Sequence, residues 1–257
     1  MNARQHSGRF RVLGVPVDIL QIPGAVARME EWIASRRGCH FVAVTGMHGI
    51  TEAQRDSKFR TILNSADLVV PDGMPLIWIA NLRGHSLQRR VYGPELMLAF
   101  FQATNTKGYR HFFYGGASDV PEKLAEAFRR RFPDTAIVGC YSPPFRSLNS
   151  REDDEIVAMI NASLADILWV GLSTPKQERW MFEHRDRLNV PVLVGVGAAF
   201  DIHAGRRMQA PVWVQEHGFE WAFRLVQEPK RLWRRYLVYG SQFLFWIALE
   251  QLGLRKF

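Results

Sequence analysis

The regular alternation of short β-branched runs with longer amphipathic stretches constrains this chain more than any other feature. Strand-like runs read at Arg11–Ile19 (a strand or hairpin arm), His40–Val44, Leu68–Val70, Phe112–Tyr114, Ala136–Cys140, Ile167–Gly171 and Val192–Val196. Between them, helical spacing predicts Pro23–Arg37, Gly49–Asn64, Leu76–Leu82, Leu96–Ala103, Pro121–Arg131, Arg151–Ser163 and Lys176–Leu188. Apolar residues at three- and four-residue steps give a helix one buried face, and short continuous apolar runs suit strands buried on both faces. Strands alternating with helices of this length form βαβ units. The expected fold is therefore α/β, a parallel sheet with helices on both faces.

From about Ile202 the alternation stops. Between His203 and Phe257 there are nine Lys/Arg against four Glu, interleaved with Trp and Phe. This predicts an α/β core over 1–202 and a basic, aromatic-rich helical appendage over 203–257. The whole chain carries a formal charge of +8, with a pI near 9.9, which points to an anionic partner: nucleic acid, a phosphorylated substrate or acidic lipid. The two cysteines, Cys39 and Cys140, have no metal-ligand spacing and read as buried thiols of a reducing compartment. The N-terminus lacks the apolar core of a signal peptide. The longest apolar stretch, Tyr236–Leu249, is interrupted by Gly240, Ser241 and Gln242 and falls short of the ~20 residues that span a bilayer. A cytosolic protein is expected.

Several stretches carry candidate chemistry. In Ala66–Gly73 (ADLVVPDG) a buried strand ends at Pro71, which cannot donate to a ladder. Asp72 then lies where a parallel sheet opens on its ligand crevice, or it is simply an Asp-Gly turn residue. Gly115 and Gly116 follow a strand and precede a helix; they form a tight βα turn or a diphosphate contact. In Gly171–Glu178 (GLSTPKQE), Ser173 or Thr174 is placed to cap the next helix, with Lys176 and Gln177 at its positive end. Asp201 closes the last strand and either binds a ribose hydroxyl or caps a turn. In the tail, Arg224, Lys230, Arg231, Arg234 and Arg235 interleave with Trp221, Phe223, Leu225, Leu232 and Trp233. Arg231 and Arg234, with Lys230 or Arg235 beside them, share a helical face able to clamp diphosphate or to lie on acidic lipid. GxSxG, HExxH and an acidic D-x-D after a strand are all absent, so no metal site is expected.

Taken together, ADLVVPDGMPLIW, RVYGPELM, VGLSTPKQERW, GVGAAFDIHAG and APVWVQEHGFEWAFRLVQEPKRLWRRY resemble the WecG/TagA/CpsF family of glycosyltransferases, over about Phe10 to Tyr239. The resemblance implies a Rossmann-like core whose C-terminal appendage helps complete the active site and bind membrane. It implies inverting transfer of a sugar from a UDP-sugar to a polyprenyl-diphosphate-linked sugar, at the cytoplasmic membrane face, in cell-surface polysaccharide assembly. On the matching positions it makes Asp72 the general base, with Thr45, Arg90 and Gln177 in the catalytic pocket. It makes Asp201, Arg224, Arg231 and Arg234 substrate contacts. Two positions depart from the family pattern: Thr45-Gly46-Met47-His48 replaces a frequent Thr-x-Asn, and Gln209 replaces a basic residue before Ala-Pro. The first bears on which sugar is used.

Departure of UDP is expected to be stabilised by arginines rather than by a metal cofactor. The competing classes are a dinucleotide-dependent oxidoreductase, which lacks GxGxxG after its first strand, and a basic membrane-binding protein without catalysis. A nucleic-acid partner is not expected, because no reading motif accompanies the charge. A second copy of the chain is a candidate partner for the aromatic tail.

Overall fold

The computed structural model describes residues 8–257. In chain order the elements begin with β1 (Arg9–Val12), β2 (Val15–Asp18), α1 (Ile22–Ser35), β3 (His40–Thr45), α2 (Met47–Arg55) and α3 (Ser57–Asn64). There follow β4 (Leu68–Pro71), α4 (Met74–Leu82), α5 (Gly93–Thr104), β5 (Arg110–Gly115), α6 (Val120–Arg131), β6 (Ala136–Tyr141) and α7 (Ser150–Ala162). Next come β7 (Ile167–Gly171), α8 (Lys176–His184), β8 (Val192–Gly195), α9 (Ala199–His203), α10 (Val212–Glu216) and α11 (Glu220–Gln227). The chain closes with α12 (Pro229–Trp233), a π-helical turn (Arg234–Val238) and α13 (Tyr239–Gln251). These elements form two compact units, each discontinuous in sequence: residues 8–21, 45–91 and 209–257, and residues 22–44 and 92–208.

The second unit is the α/β layer that the alternation predicts. Its strands run parallel in the order β3-β8-β7-β5-β6. The register sets Phe41, Leu193, Leu168 and Phe112 in one row across the sheet and Val42, Val194, Trp169 and Phe113 in the next. All eight side chains are buried, and this apolar width is why the strands read as continuous hydrophobic runs. Within the core, Trp169 Nε1 donates to His111 Nδ1 at 3.0 Å. Burial pushes the His111 pKa down to about 3, which keeps that nitrogen free to accept. Helix α7 begins with a reciprocal capping box between Asn149 and Glu152.

The first unit starts with an antiparallel hairpin, β1–β2, turned by Leu13 and Gly14, both at positive φ, the type I′ geometry that fits strand twist. Asp18, 2% exposed, accepts from Arg9 Nε at 2.9 Å and from the Val69 amide at 2.8 Å, tying the hairpin to β4. The single helix expected over Gly49–Asn64 is two. Asp56 has extended backbone and its side chain accepts from the amides of Lys58 and Phe59, so it ends α2 and caps α3.

The C-terminal helices are packed rather than loose within this unit. Glu250 accepts from the Leu13 amide at 3.1 Å and pairs with Arg83. His48 stacks on Tyr239 at 5.3 Å between ring centroids, and the Arg55 guanidinium lies 4.7 Å over the same tyrosine. Met47, one of the departures from the family pattern, lies against Gly240: a Cβ there would be 3.4 Å from its methyl. Cys39 and Cys140 are half-buried rather than fully buried. Among the described residues no helix is long and apolar enough to cross a membrane.

Candidate active site

The fully buried strand β4 delivers Asp72 to its carboxyl end. There the Asp72 amide donates to Thr45 O at 2.8 Å, so the two strand ends lie side by side. Gly46 makes this approach feasible, since a Cβ at that position would sit 2.2 Å from Asp72 O. Gly73, at φ +100°, turns the chain into α4 through a conformation that L side chains rarely adopt. The Val91 amide donates to Pro71 O at 2.8 Å and so brings Arg90 alongside.

Arg90 is anchored at its guanidinium. Its side chain is 12% exposed and pairs with Glu220, itself 8% exposed. Arg90 Nη2 also donates to Gln215 Oε1 at 3.0 Å, and Gln215 Nε2 donates to Ala210 O at 2.7 Å. The segment 209–220 is thereby fastened to the Asp72 loop.

Asp72 is half-buried, and loss of hydration raises its pKa to about 6. Arg90 opposes that rise most strongly, Glu220 adds to it, and Arg224 and Arg235 oppose it. Burial and the positive charges of Arg224 and Arg231 lower the Arg235 pKa, while Tyr236 and Asp72 act in the other direction. Two buried polar atoms here, Thr45 Oγ1 and Arg235 Nε, have no hydrogen-bond partner among the described residues. Such atoms are costly unless something else satisfies them.

The first unit thus gathers Thr45, Asp72, Arg90 and Arg224 and adds Glu220, Gln215 and Arg235. Arg231 is exposed and pairs with Glu228, while remaining close enough to influence Arg235. Arg234 is exposed and lies 5.5 Å over the Trp233 ring. Residue spacing set Arg235 beside Arg231 and Arg234 without marking it out, and the resemblance passed it over; Arg234–Val238 is wound more widely than an α-helix, which changes the angle between successive side chains. Glu220 had only one signal, an acid among aromatic residues in a basic tail.

The remaining candidates lie in the second unit. Gln177 is 2% exposed, whereas Lys176 is exposed at the start of α8. Gly115 and Gly116 are demanded by packing: Cβ atoms there would meet the Gly171 backbone at 2.8 Å and Val120 at 2.9 Å. Asp201 lies 3.4 Å from Arg207, and its carbonyl accepts from the amides of Arg206 and Arg207, as a turn-closing residue does. Among the described residues no group of three or more His, Cys, Asp or Glu side chains is arranged to hold a metal ion.

Comparison with known proteins adds chemistry to this geometry. The model of the glycosyl transferase WecG/TagA/CpsF family matches residues 10–257. The N-acetylglucosaminyldiphosphoundecaprenol N-acetyl-beta-D-mannosaminyltransferase of Bacillus spizizenii is 33% identical over 218 residues, covering 84% of this chain and 82% of the relative. The protein of the same name in Bacillus subtilis is 29% identical, over 72% of this chain and 70% of its own. That of Staphylococcus aureus is 24% identical, over 90% and 89% respectively.

Proposed function

The chain belongs to the glycosyl transferase WecG/TagA/CpsF family, and from that premise we propose that it moves a hexose or N-acetylhexosamine-type sugar from a UDP-sugar to a polyprenyl-diphosphate-linked sugar, with inversion at the anomeric carbon. The observation that carries this reading is the Asp72 carboxyl at the end of β4, beside Thr45 and facing the charges of Arg90, Arg224 and Arg235, with burial pushing its pKa up to about 6. Inverting transfer needs a base to take the proton of the acceptor hydroxyl as that oxygen attacks. A carboxyl tuned upward toward neutral pH is a better base than an ordinary one and is still mostly ionised at pH 7. The transfer also needs positive charge where the departing diphosphate gathers negative charge. Guanidinium groups supply it in a planar, bidentate form. Thr45 Oγ1, buried without a hydrogen-bond partner among the described residues, is available to orient a substrate hydroxyl.

In this reading the arginines take the part that a divalent cation plays in other sugar transferases. The test is turnover of a panel of UDP-hexoses and UDP-N-acetylhexosamines with a diphosphate-lipid-linked N-acetylhexosamine acceptor, in excess chelator. Release of UDP with a β-linked product from an α-linked donor is expected. Activity that requires an added divalent cation would remove the arginine-only account.

A lipid acceptor asks the protein to meet a membrane surface, and the first unit carries the means. Trp213, Trp233, Leu244 and Phe245 are 64%, 44%, 65% and 62% exposed, with Lys230, Arg231 and Arg234 on the same C-terminal segment. Aromatic side chains settle at the lipid interface while basic ones are drawn to anionic headgroups. Cosedimentation with vesicles containing phosphatidylglycerol is expected, with little binding to pure phosphatidylcholine. Trp233→Ser combined with Phe245→Ser should weaken vesicle binding roughly tenfold or more, given ~25 cal/mol per Å² of apolar surface withdrawn from water. Undiminished sedimentation of the double variant would count against this face.

A further inference from the structure

Gln177 and Glu178 stand in the first turn of α8, 2% and 0% exposed. Gln177 Nε2 donates to Glu178 Oε1 at 3.1 Å, and Thr174 Oγ1 donates to the same oxygen at 2.7 Å. With Oε1 as the acceptor, Glu178 takes the NH2 end of the neighbouring amide and turns the carbonyl end away. That carbonyl end lies toward the close of β8. A Cβ built on Gly197 would be 3.4 Å from Gln177 Oε1, and one on Gly195 would be 2.9 Å from Nε2. Glycine at 195 is thus what leaves the amide its place. Oε1 is buried and has no hydrogen-bond partner among the described residues. A buried carbonyl left in that state costs stability, and the carboxyl ends of parallel strands are where α/β sheets bind ligands.

We propose that Glu178 is a positioning residue for donor recognition: it locks the Gln177 amide so that Oε1 accepts a hydrogen bond from the nucleotide sugar. This rests on the reading given under Proposed function and sharpens it. An acceptor oxygen recognises only a group with a proton to give. It therefore selects a hydroxyl or amide N–H of the sugar or base, and an ionised diphosphate has none to offer. The contact contributes to which donor is bound rather than to holding the diphosphate.

Glu178→Gln is the informative substitution, because it keeps the size of the side chain but can donate as well as accept, and so no longer dictates the amide's orientation. In the unliganded wild-type protein the Gln177 side-chain NH2, identified by its loss in Gln177→Ala, should exchange slowly with solvent. In Glu178→Gln it should exchange quickly. KM for the UDP-sugar should rise about tenfold or more, as expected for a misdirected buried hydrogen bond, with kcat changed less. In a Gln177→Ala background Glu178→Gln should add no further loss. Thr174→Val, which leaves the NH2 on Glu178, should cost less than Glu178→Gln and serves if that variant fails to fold. Fast NH2 exchange in the wild type, or equal losses from Glu178→Gln in both backgrounds, would overturn the proposal. If the wild type turns over no UDP-sugar, the functional reading fails, and the exchange measurement still decides whether Glu178 sets the amide.

Discussion

Asp72→Asn is expected to lower turnover by roughly 10²- to 10⁴-fold, the range typical of a general base, while making the folded protein more stable at pH 8. The two effects have one cause. In the folded chain the Asp72 pKa is raised from 3.8 to about 6 by burial, so the fold favours the neutral carboxyl. A group whose folded pKa is raised contributes stability that is complete below the unfolded value and is lost as pH rises through the folded one. Above about pH 6 the ionised carboxylate therefore costs the fold about 2 to 3 kcal/mol, at 1.36 kcal/mol per unit over the shift from 3.8. Asparagine removes that cost. Denaturant midpoints should favour the variant at pH 8 and converge with the wild type near pH 4. Wild-type kcat/KM should fall about tenfold per unit below pH 6 as the base is protonated. Unchanged turnover, or equal destabilisation at both pH values, would take the role of base away from Asp72.

Breaking the Arg90–Glu220 pair should be the most damaging single change to the fold of the first unit. Both side chains are nearly buried, at 12% and 8% exposure. Removing Arg90 leaves Glu220 without its buried cation, an expected loss of about 3 to 5 kcal/mol, whereas removing Glu220 leaves Arg90 the Asp72 carboxylate and should cost less. Arg90→Met and Glu220→Met should each unfold at markedly lower denaturant, and the double variant should regain most of the difference. The two single variants part company in their chemistry. Arg90 is the strongest influence holding the Asp72 pKa down, and Glu220 pushes it up. The acidic limb of the pH–rate profile should therefore move upward in Arg90→Met and downward in Glu220→Met, provided each is assayed where it is folded. Limbs that stay in place in both variants would show that the pair acts on stability alone. Additive stability losses in the double variant would show that the two residues are not coupled.

What the sequence revealed depended on whether the signal was periodic. Strands β3, β5, β7 and β8 lie where their apolar runs suggested, because burial on both faces writes itself as consecutive β-branched and aromatic residues. Asp56 was misplaced inside a continuous helix, since apolar spacing persists across α2 and α3; the Asp-Ser pair between them was the overlooked capping signal. The candidate site was legible where one residue ends a strand, as Asp72 does. Arg235 was named only as a neighbour, because its buried Nε lies in a π turn, whose winding leaves no mark in residue spacing. Glu220 was missed for another reason. Its partner Arg90 lies 130 residues away, and a buried ion pair across that distance has no local pattern.

The bond from Leu13 to Glu250 spans 237 positions, and this separation governs when the first unit can close on itself. Chains are made from the N-terminus at about 5 to 20 residues per second, so the hairpin, Asp72 and Arg90 leave the ribosome well before their C-terminal partners exist. Until Gln215, Glu220, Arg224 and Arg235 have emerged, Arg90 lacks its counter-charge and Asp72 lacks much of its cationic surround. Closing so long a loop is also slow relative to local folding. A chain stalled before Gln215 therefore carries the carboxylate but not the C-terminal charges that tune it.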